Sequence, residues 1–240
     1  MTLPIKGSIV FITGATGGLG QALTAAVAAR GAAKIYAAGR DVSALANAPG
    51  VIPIRLDVTS DDEVDQAASI ANDVTLLINN AGVNHNATFM RTSDLQIARE
   101  EIEVNYLAPL RMTRAFASPL IQSHGAVLNV LALLARVNFP LMGSYCASKA
   151  AALSLTQGLR GELAPKGVRV VAALPGAIDT RLTADLDIPK MTPAEAAAGI
   201  LDGFEAGEEE IYVGEMARSL AERLASDAKA VERELASGLI

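Results

Sequence analysis

Ser8-Ile9-Val10-Phe11-Ile12-Thr13-Gly14-Ala15-Thr16-Gly17-Gly18-Leu19-Gly20 is the stretch that decides the fold. It starts as a short β-branched, apolar run suited to a strand, breaks into a glycine-rich turn, and leads into Gln21 to Arg30, which reads as helix. Strand, glycine turn and helix in that order are what a phosphate cradle requires. Glycine permits positive φ and close approach of backbone to ligand. The helix start offers unpaired N–H groups and the positive end of its dipole to a pyrophosphate. The plain alternative is a tight β-to-α turn without a ligand, and the placement after the first strand favours a dinucleotide.

Moving outward, Lys34 to Ala38 reads as the second strand and closes on Gly39-Arg40-Asp41. The end of this strand meets the adenosine ribose in a dinucleotide fold, where a carboxylate suits a free 2′-hydroxyl and an arginine suits a 2′-phosphate. Arg40 therefore favours NADP(H) over NAD(H), with Asp41 either pairing with it or capping the next helix. Val51 to Leu56 is the third strand, kinked at Pro53, and it ends at Asp57-Val58. Asp57 suits an adenine amino group or a turn cap. Val74 to Ile78 is a continuous apolar strand buried on both faces, and it runs into Asn79-Asn80-Ala81-Gly82. Small residues there let a ligand lie against the backbone, while Asn79 has the alternative of tying neighbouring strands together.

Ser93 to Ser123 is mostly helix, broken or kinked near Pro109, with Asn105 among apolar neighbours. If buried, that amide needs partners. His124 suits a helix C-terminal cap, and His85 either faces the cleft or lies on the surface. Gly125 to Ala132 and Val168 to Leu174 are the fifth and sixth strands, and Pro175-Gly176-Ala177-Ile178-Asp179-Thr180 follows at the carboxyl edge where ligands of open α/β sheets collect. Arg181 to Thr192 is a polar loop able to close over a substrate. Thr192, Pro193 and Glu195 read as cap, first position and capping-box partner of a further helix. Ile211 to Val213 is the seventh strand. An amphipathic terminal helix, about 216–236, carries Leu220, Leu224, Ala228, Val231 and Leu235 at three- and four-residue steps, to pack on its own domain or on a sister subunit.

Composition narrows the function. Across 240 residues no linker stands out, so a single domain spanning 1–240 is expected. Net charge is −6 and no Lys/Arg cluster stands out, which disfavours nucleic acid. The hydrophobic fraction is 51%, much of it alanine, and no apolar run approaches membrane-spanning length. The start lacks the pattern of a secretory signal, so a cytoplasmic protein is expected. One cysteine and two histidines disfavour a disulfide or a metal site.

Between the fifth and sixth strands, Tyr145-Cys146-Ala147-Ser148-Lys149 places a phenol and an ammonium four residues apart in an Ala-rich helical segment. Both project from one face. A neighbouring cation favours phenolate and lowers the phenol pKa, which suits Tyr145 to exchange a proton with a substrate hydroxyl or carbonyl.

In this order, the strand and glycine loop, Asn-Asn-Ala-Gly, Asn105, Tyr-x-x-x-Lys and Pro-Gly-x-x-x-Thr make the chain resemble the short-chain dehydrogenase/reductase family from Ser8 to about Val213. The resemblance implies an α/β fold: one Rossmann-type doubly wound domain with a seven-stranded parallel sheet. It also implies an NAD(P)(H) cofactor, a small-molecule carbonyl or alcohol substrate, and a homodimer or homotetramer built on the two long helices. Carried over residue by residue, it makes Gly14, Gly18 and Gly20 the family glycines, with Thr16, Gly17 and Leu19 near the pyrophosphate. Arg40 falls where NADP-preferring members carry a basic residue, although Gly17 falls where many of those carry a second one. Asp57 and Val58 match the adenine contact, Asn80, Ala81 and Gly82 the adenosine-side wall, and Pro175, Gly176, Ile178 and Thr180 the segment beside the nicotinamide. Tyr145 matches the general acid/base, Lys149 the lysine that binds the nicotinamide ribose, and Asn105 the asparagine that holds a water in the proton relay.

One family residue is missing. Where the family has a serine that bonds the substrate oxygen, this chain has Ala132. Alanine cannot donate, and losing such a donor costs about a hundredfold to a thousandfold in rate. Ser144 adjoins Tyr145 but points about 100° away on the helix. Three readings stay open: a Ser-to-Ala replacement made to trap a complex, a natural departure with weak activity or another donor, or a non-catalytic dinucleotide-binding sensor or scaffold. Phe89, Met90, Leu133, Leu134, Phe139, Leu141 and Met142 are candidates for an apolar substrate pocket.

Overall fold

Phe11 and Tyr36 lie on one side of a sheet, Val10, Ile12, Ile35 and Ala37 on the other, and all six are buried. Successive strand residues face opposite sides, so an unbroken apolar run is stable only where both sides are covered. The computed structural model, which describes residues 3–45, 50–90 and 95–237, shows how that cover is built. Strands β1 (Ile9–Ile12), β2 (Lys34–Gly39), β3 (Val51–Arg55), β4 (Leu76–Asn79), β5 (Ala126–Val130), β6 (Arg169–Pro175) and β7 (Glu210–Val213) form one parallel sheet in the order β3-β2-β1-β4-β5-β6-β7. Helices α1 (Gly18–Ala29) and α7 (Pro193–Ala206) bury Leu23, Val27, Ile200 and Phe204 against one face. On the other face, α2 (Asp61–Ile70), α4 (Ala108–Ala115), α5 (Ala117–Gln122) and α6 (Gly143–Leu163) supply Val64, Met112, Leu120 and Leu159.

The order reverses between β1 and β4, which opens a crevice at their carboxyl ends, the place where open α/β sheets bind ligands. Pro53 is accommodated because β3 is the edge strand, where a missing N–H breaks no ladder. The expected caps form: the Ser60 side chain accepts from Glu63 N, and Thr192 and Glu195 make a reciprocal capping box. His124 sits at φ 48° after α5, as a helix-terminating residue does. Among the described residues no helix is long and apolar enough to cross a membrane.

One helical expectation is met in an unexpected form, and one needs correction. The segment expected as helix from Ser93 begins in residues outside those described; beyond them the chain runs through α3 (Gln96–Ile102), a π-helical turn over Glu103–Leu107, and then α4. The irregularity lies just before Pro109, near which the break is expected. Proline has no N–H to give the carbonyl four residues back, here that of Asn105, and a widened turn absorbs the lost bond. The terminal helix α8 (Glu215–Ser237) is two arms, broken at Asp227 with φ −150° and ψ 87°. Asp227 Oδ1 accepts from Ala230 N and caps the second arm. An ion pair joins Arg223 to Glu234, residues that a straight helix would hold about 16 Å apart. The apolar steps run on through the break because both arms pack toward Leu133, with Leu220 and Val231 in the same cluster.

Candidate active site

Glycine at two positions shapes the cradle between β1 and α1. Gly14 has φ +64°, and a Cβ there would sit 2.9 Å from Ala81 Cα; at Gly20 it would lie 2.1 Å from the Gly14 carbonyl oxygen. The turn therefore folds tightly onto itself and onto the segment after β4. Asn80 fastens it, donating from Nδ2 to the carbonyls of Thr13 at 3.0 Å and Gly14 at 3.2 Å, while Thr13 Oγ1 accepts from the N–H groups of Asn80 and Ala81. Asn79 takes its structural alternative, bonding Asn129 across β4 and β5 at 2.8 Å.

Chain and cradle fit a dinucleotide. Helix α1 starts at Gly17 with no side-chain cap and no acidic residue in its first turn, which leaves N–H groups and the dipole's positive end for a phosphate. Thr16 packs against Gly39, joining the cradle to the end of β2, and a Cβ on Gly18 would meet Thr180 Cγ2 at 3.3 Å. Arg40 is exposed beyond β2, and Asp41 spends its carboxylate on Ser43 N at 3.0 Å. Asp57 Oδ1 accepts from Thr59 N and Oγ1, so the turn role is filled; these bonds, with burial opposing, hold its carboxyl below the ordinary value. Val58 puts its side chain in the core, and its carbonyl accepts from Arg111 at 3.1 Å. Ile178 pairs with Met191 in an isolated parallel bridge, and Gly176 N bonds Val213 O, so the segment after β6 is held at the crevice.

Asn105 and Lys149 come together beside Gly82, and the Tyr145 ring flanks the lysine. A Cβ on Gly82 would lie 3.2 Å from Asn105 Oδ1 and 3.5 Å from Lys149 Nζ, so only a bare backbone passes between them and the crevice. Lys149 is 5% exposed; its Nζ donates to Val130 O at 3.2 Å and lies 5.7 Å from the Tyr145 ring centroid. Burial pushes its pKa down to about 8. The phenol does not follow the sequence expectation, since burial first, then Cys146 and Glu101, push the Tyr145 pKa up. Desolvation outweighs the ammonium, whose hydrogen bond goes to Val130 rather than to the phenol oxygen.

Asn105 is the second polar group at this place. Its Oδ1 accepts from Val83 N at 3.0 Å, and Nδ2 donates to Val83 O at 2.9 Å and Ser148 Oγ at 2.9 Å. Both amide hydrogens and the carbonyl oxygen are thus engaged, and the side chain clamps the loop after β4 to α6. Ser148 and Glu101 were missed in the sequence. Ser148 accepts the Asn105 amide and donates to Tyr145 O, while Glu101, fully buried, accepts from His85 N and Ser144 Oγ. An acidic residue four positions before a helical asparagine was the available signal.

Ala132 is buried two residues beyond Val130, and Ser144 cannot replace a serine there, because its hydroxyl donates to Glu101 at 2.5 Å. Leu133 is packed beneath α8, and Met142 is buried, so neither is free pocket wall. Phe89 is 57% and Met90 93% exposed. A cavity of about 540 Å³ between α2 and α4, lined by Asp61, Arg111 and Arg114, contains none of these residues. Among the described residues no His, Cys, Asp or Glu cluster fits a metal.

The buried lysine gives a first expected result. A lysine titrating near 8 in the fold and near its ordinary 10.5 when unfolded binds fewer protons in the folded state across that window. Stability then rises with pH through the window, because the cost of holding a buried ammonium is paid below it and vanishes above it. Denaturant unfolding at pH 7 and pH 10 should show the wild type gaining on Lys149→Met by about 3 kcal/mol. Parallel pH curves for the two proteins would refute the buried, depressed lysine.

Comparison with known proteins places these features in context. Residues 8–190 match the family model for short chain dehydrogenase. An NADPH-dependent 1-acyldihydroxyacetone phosphate reductase of Schizosaccharomyces pombe is 34% identical over 196 residues, covering 78% of this chain and 64% of that protein, so the chain spans less than two thirds of that relative. Nodulation protein G of Rhizobium sp. is 29% identical over 193 residues, 76% of this chain and 78% of that one. Among solved structures, a short chain dehydrogenase from Burkholderia cenocepacia in complex with NADP superposes with TM-score 0.94 at 45% identity, over 97% of this chain and 99% of that one. One from Sphingobium yanoikuyae in complex with NADPH gives TM-score 0.78 at 29% identity, over 94% and 96%.

Proposed function

The chain belongs to the short-chain dehydrogenase family, and from that premise we propose that it is an NADP(H)-dependent oxidoreductase interconverting a small carbonyl compound and its alcohol. The observation that carries this reading is the grouping of Asn105 and Lys149 at Gly82, with the Tyr145 ring 5.7 Å from Lys149 Nζ, beside the glycine cradle that Ala81 and Asn80 pack against. A bound nicotinamide supplies or accepts the hydride. The cradle of Gly14 to Gly20 takes the pyrophosphate, Arg40 the 2′-phosphate, and Lys149 the nicotinamide ribose.

The chain's own residues handle the proton. Burial keeps Tyr145 protonated at neutral pH, the state from which it gives its proton to the oxygen of a carbonyl substrate during reduction. Lys149 steadies the resulting charge, and Asn105 links the lysine through water to solvent. Ser148, bonded to both Asn105 and the Tyr145 carbonyl, holds the two in register.

The test follows NADPH and NADH consumption against a panel of ketones and aldehydes, with dinucleotide binding measured separately. Arg40→Asp should weaken NADPH by about tenfold to a hundredfold, the value of a charge-assisted contact, and spare NADH. An unchanged preference would refute the assignment of Arg40. Tight dinucleotide binding with no turnover across the panel, with Ala132 or with serine in its place, would point instead to a sensor.

A further inference from the structure

Asn105 is not alone in bridging the loop after β4 to α6. One helical turn earlier, Glu101 Oε1 accepts from His85 N at 2.9 Å and Oε2 accepts from Ser144 Oγ at 2.5 Å. The later crosslink joins Asn105 to Val83 and Ser148. Each pair steps by four residues along its helix, 101 to 105 and 144 to 148, a rise of about 6 Å, which two residues of extended chain also cover. Val83 and His85 thus meet successive turns, and Tyr145 lies between the two hydroxyls that anchor them.

We propose that Glu101 is a positioning residue for Tyr145: with Ser144 it forms a second crosslink that fixes the loop and the first turn of α6 around the phenol, and its carboxylate sets the electrostatic environment in which the phenol holds its proton. The proposal rests on Tyr145 as the proton-exchanging group. A carboxylate with no exposed surface is costly, and an apolar side chain of similar volume would serve packing alone at lower cost. Here both carboxylate oxygens are spent on backbone and hydroxyl donors on either side of the site. The other titratable groups that bear on the phenol are Lys149 and the Cys146 thiol, both from its own helix; His85, on the loop that Glu101 holds, has its Nε2 3.2 Å from Glu100 Oε2. Glu101 is the carboxylate of the set that bears on Tyr145, acting after burial and the Cys146 thiol, and a like charge opposes phenolate.

Three variants separate charge from crosslink. Glu101→Gln keeps size and removes the charge, its oxygen still able to accept from His85 N while its amide donates to the Ser144 oxygen in a reversed bond; Glu101→Leu removes charge and crosslink together; Ser144→Ala cuts the crosslink and keeps the carboxylate. Tyrosine labelled with carbon-13 at Cζ reports the Tyr145 titration directly by NMR, with Tyr145→Phe identifying the signal, so this readout needs no substrate. Glu101→Gln should move that titration, and the alkaline limb of the kcat profile, to lower pH, with a smaller loss of kcat than in the two variants that cut the crosslink. Ser144→Ala and Glu101→Leu should lower kcat about tenfold with the KM for NADPH unchanged, the signature of a misplaced group rather than of lost cofactor binding. Should Glu101→Leu fail to fold, the other two variants carry the test. An unmoved Tyr145 titration in Glu101→Gln, or kcat falling only in proportion to thermal stability, would overturn the proposal. Full turnover in Tyr145→Phe would instead sink the proton role of Tyr145, while the NMR shift would still decide whether Glu101 acts on the phenol.

Discussion

Tyr145→Phe loses about a hundredfold to ten-thousandfold in kcat and binds NADPH as the parent does. The expectation follows from where the phenol sits. It is half-buried at the head of α6, and burial raises its pKa, so at neutral pH its proton stays in place for transfer. Phenylalanine keeps the ring and its packing and removes only the transferable proton, so the loss belongs to kcat, not to the cofactor's KM. A second readout comes from stability. A phenol whose folded pKa lies above the unfolded value binds its proton more tightly when folded, a contribution fully present below about pH 10 and lost as pH rises beyond it. The variant should therefore outlast the parent in alkaline unfolding while being inactive. Stopped turnover with unchanged alkaline stability would mean the phenol is not held where it is described, and retained turnover would remove Tyr145 from the chemistry.

The parts of this molecule that sequence made legible are those governed by local rules. Ile9 to Ile12 follows from its continuous β-branched apolar run, the turn before α1 from glycines that permit positive φ, and Thr192 with Glu195 announces α7 through its capping box. The hidden parts depend on partners far along the chain. Asn105 and Ser148 are 43 residues apart, as are Glu101 and Ser144, and no periodicity couples them. The phenol pKa was misjudged for the same reason: the lysine four residues away is visible in sequence, whereas desolvation by the surrounding fold is not, and desolvation prevails. The break in α8 had a local cue in Asp227, but the apolar steps on either side pointed to one continuous helix and masked the cap. Asp57 shows the limit of family carry-over, since its Oδ1 is committed to Thr59 and any contact with adenine must use what remains.

Ala132→Ser raises kcat by about a hundredfold to a thousandfold against the carbonyl panel, the worth of one donor aimed at developing charge. Geometry favours the exchange. Ala132 is extended, at φ −163° and ψ 158°, and occupies the cap position of the short 3-10 turn Leu133–Ala135 without a side-chain bond. Serine is at home in such a position, where its oxygen is available to accept from backbone while its hydrogen remains free to donate. Val130, two residues earlier, already holds Lys149 through its carbonyl, so the new hydroxyl would join a strand end tied to the same lysine that flanks Tyr145. No other hydroxyl identified beside the phenol can do this, since that of Ser144 serves Glu101 and that of Ser148 serves the Tyr145 carbonyl. A gain of that size, with the KM for NADPH unchanged, would show that the rest of the machinery is intact and waits on one donor. Turnover already high with Ala132, and no faster with serine, would mean that the substrate brings its own hydrogen bond to the reacting oxygen or that main-chain N–H groups supply it. Silence in both proteins, with NADPH tightly bound, would make the dinucleotide itself the ligand that matters.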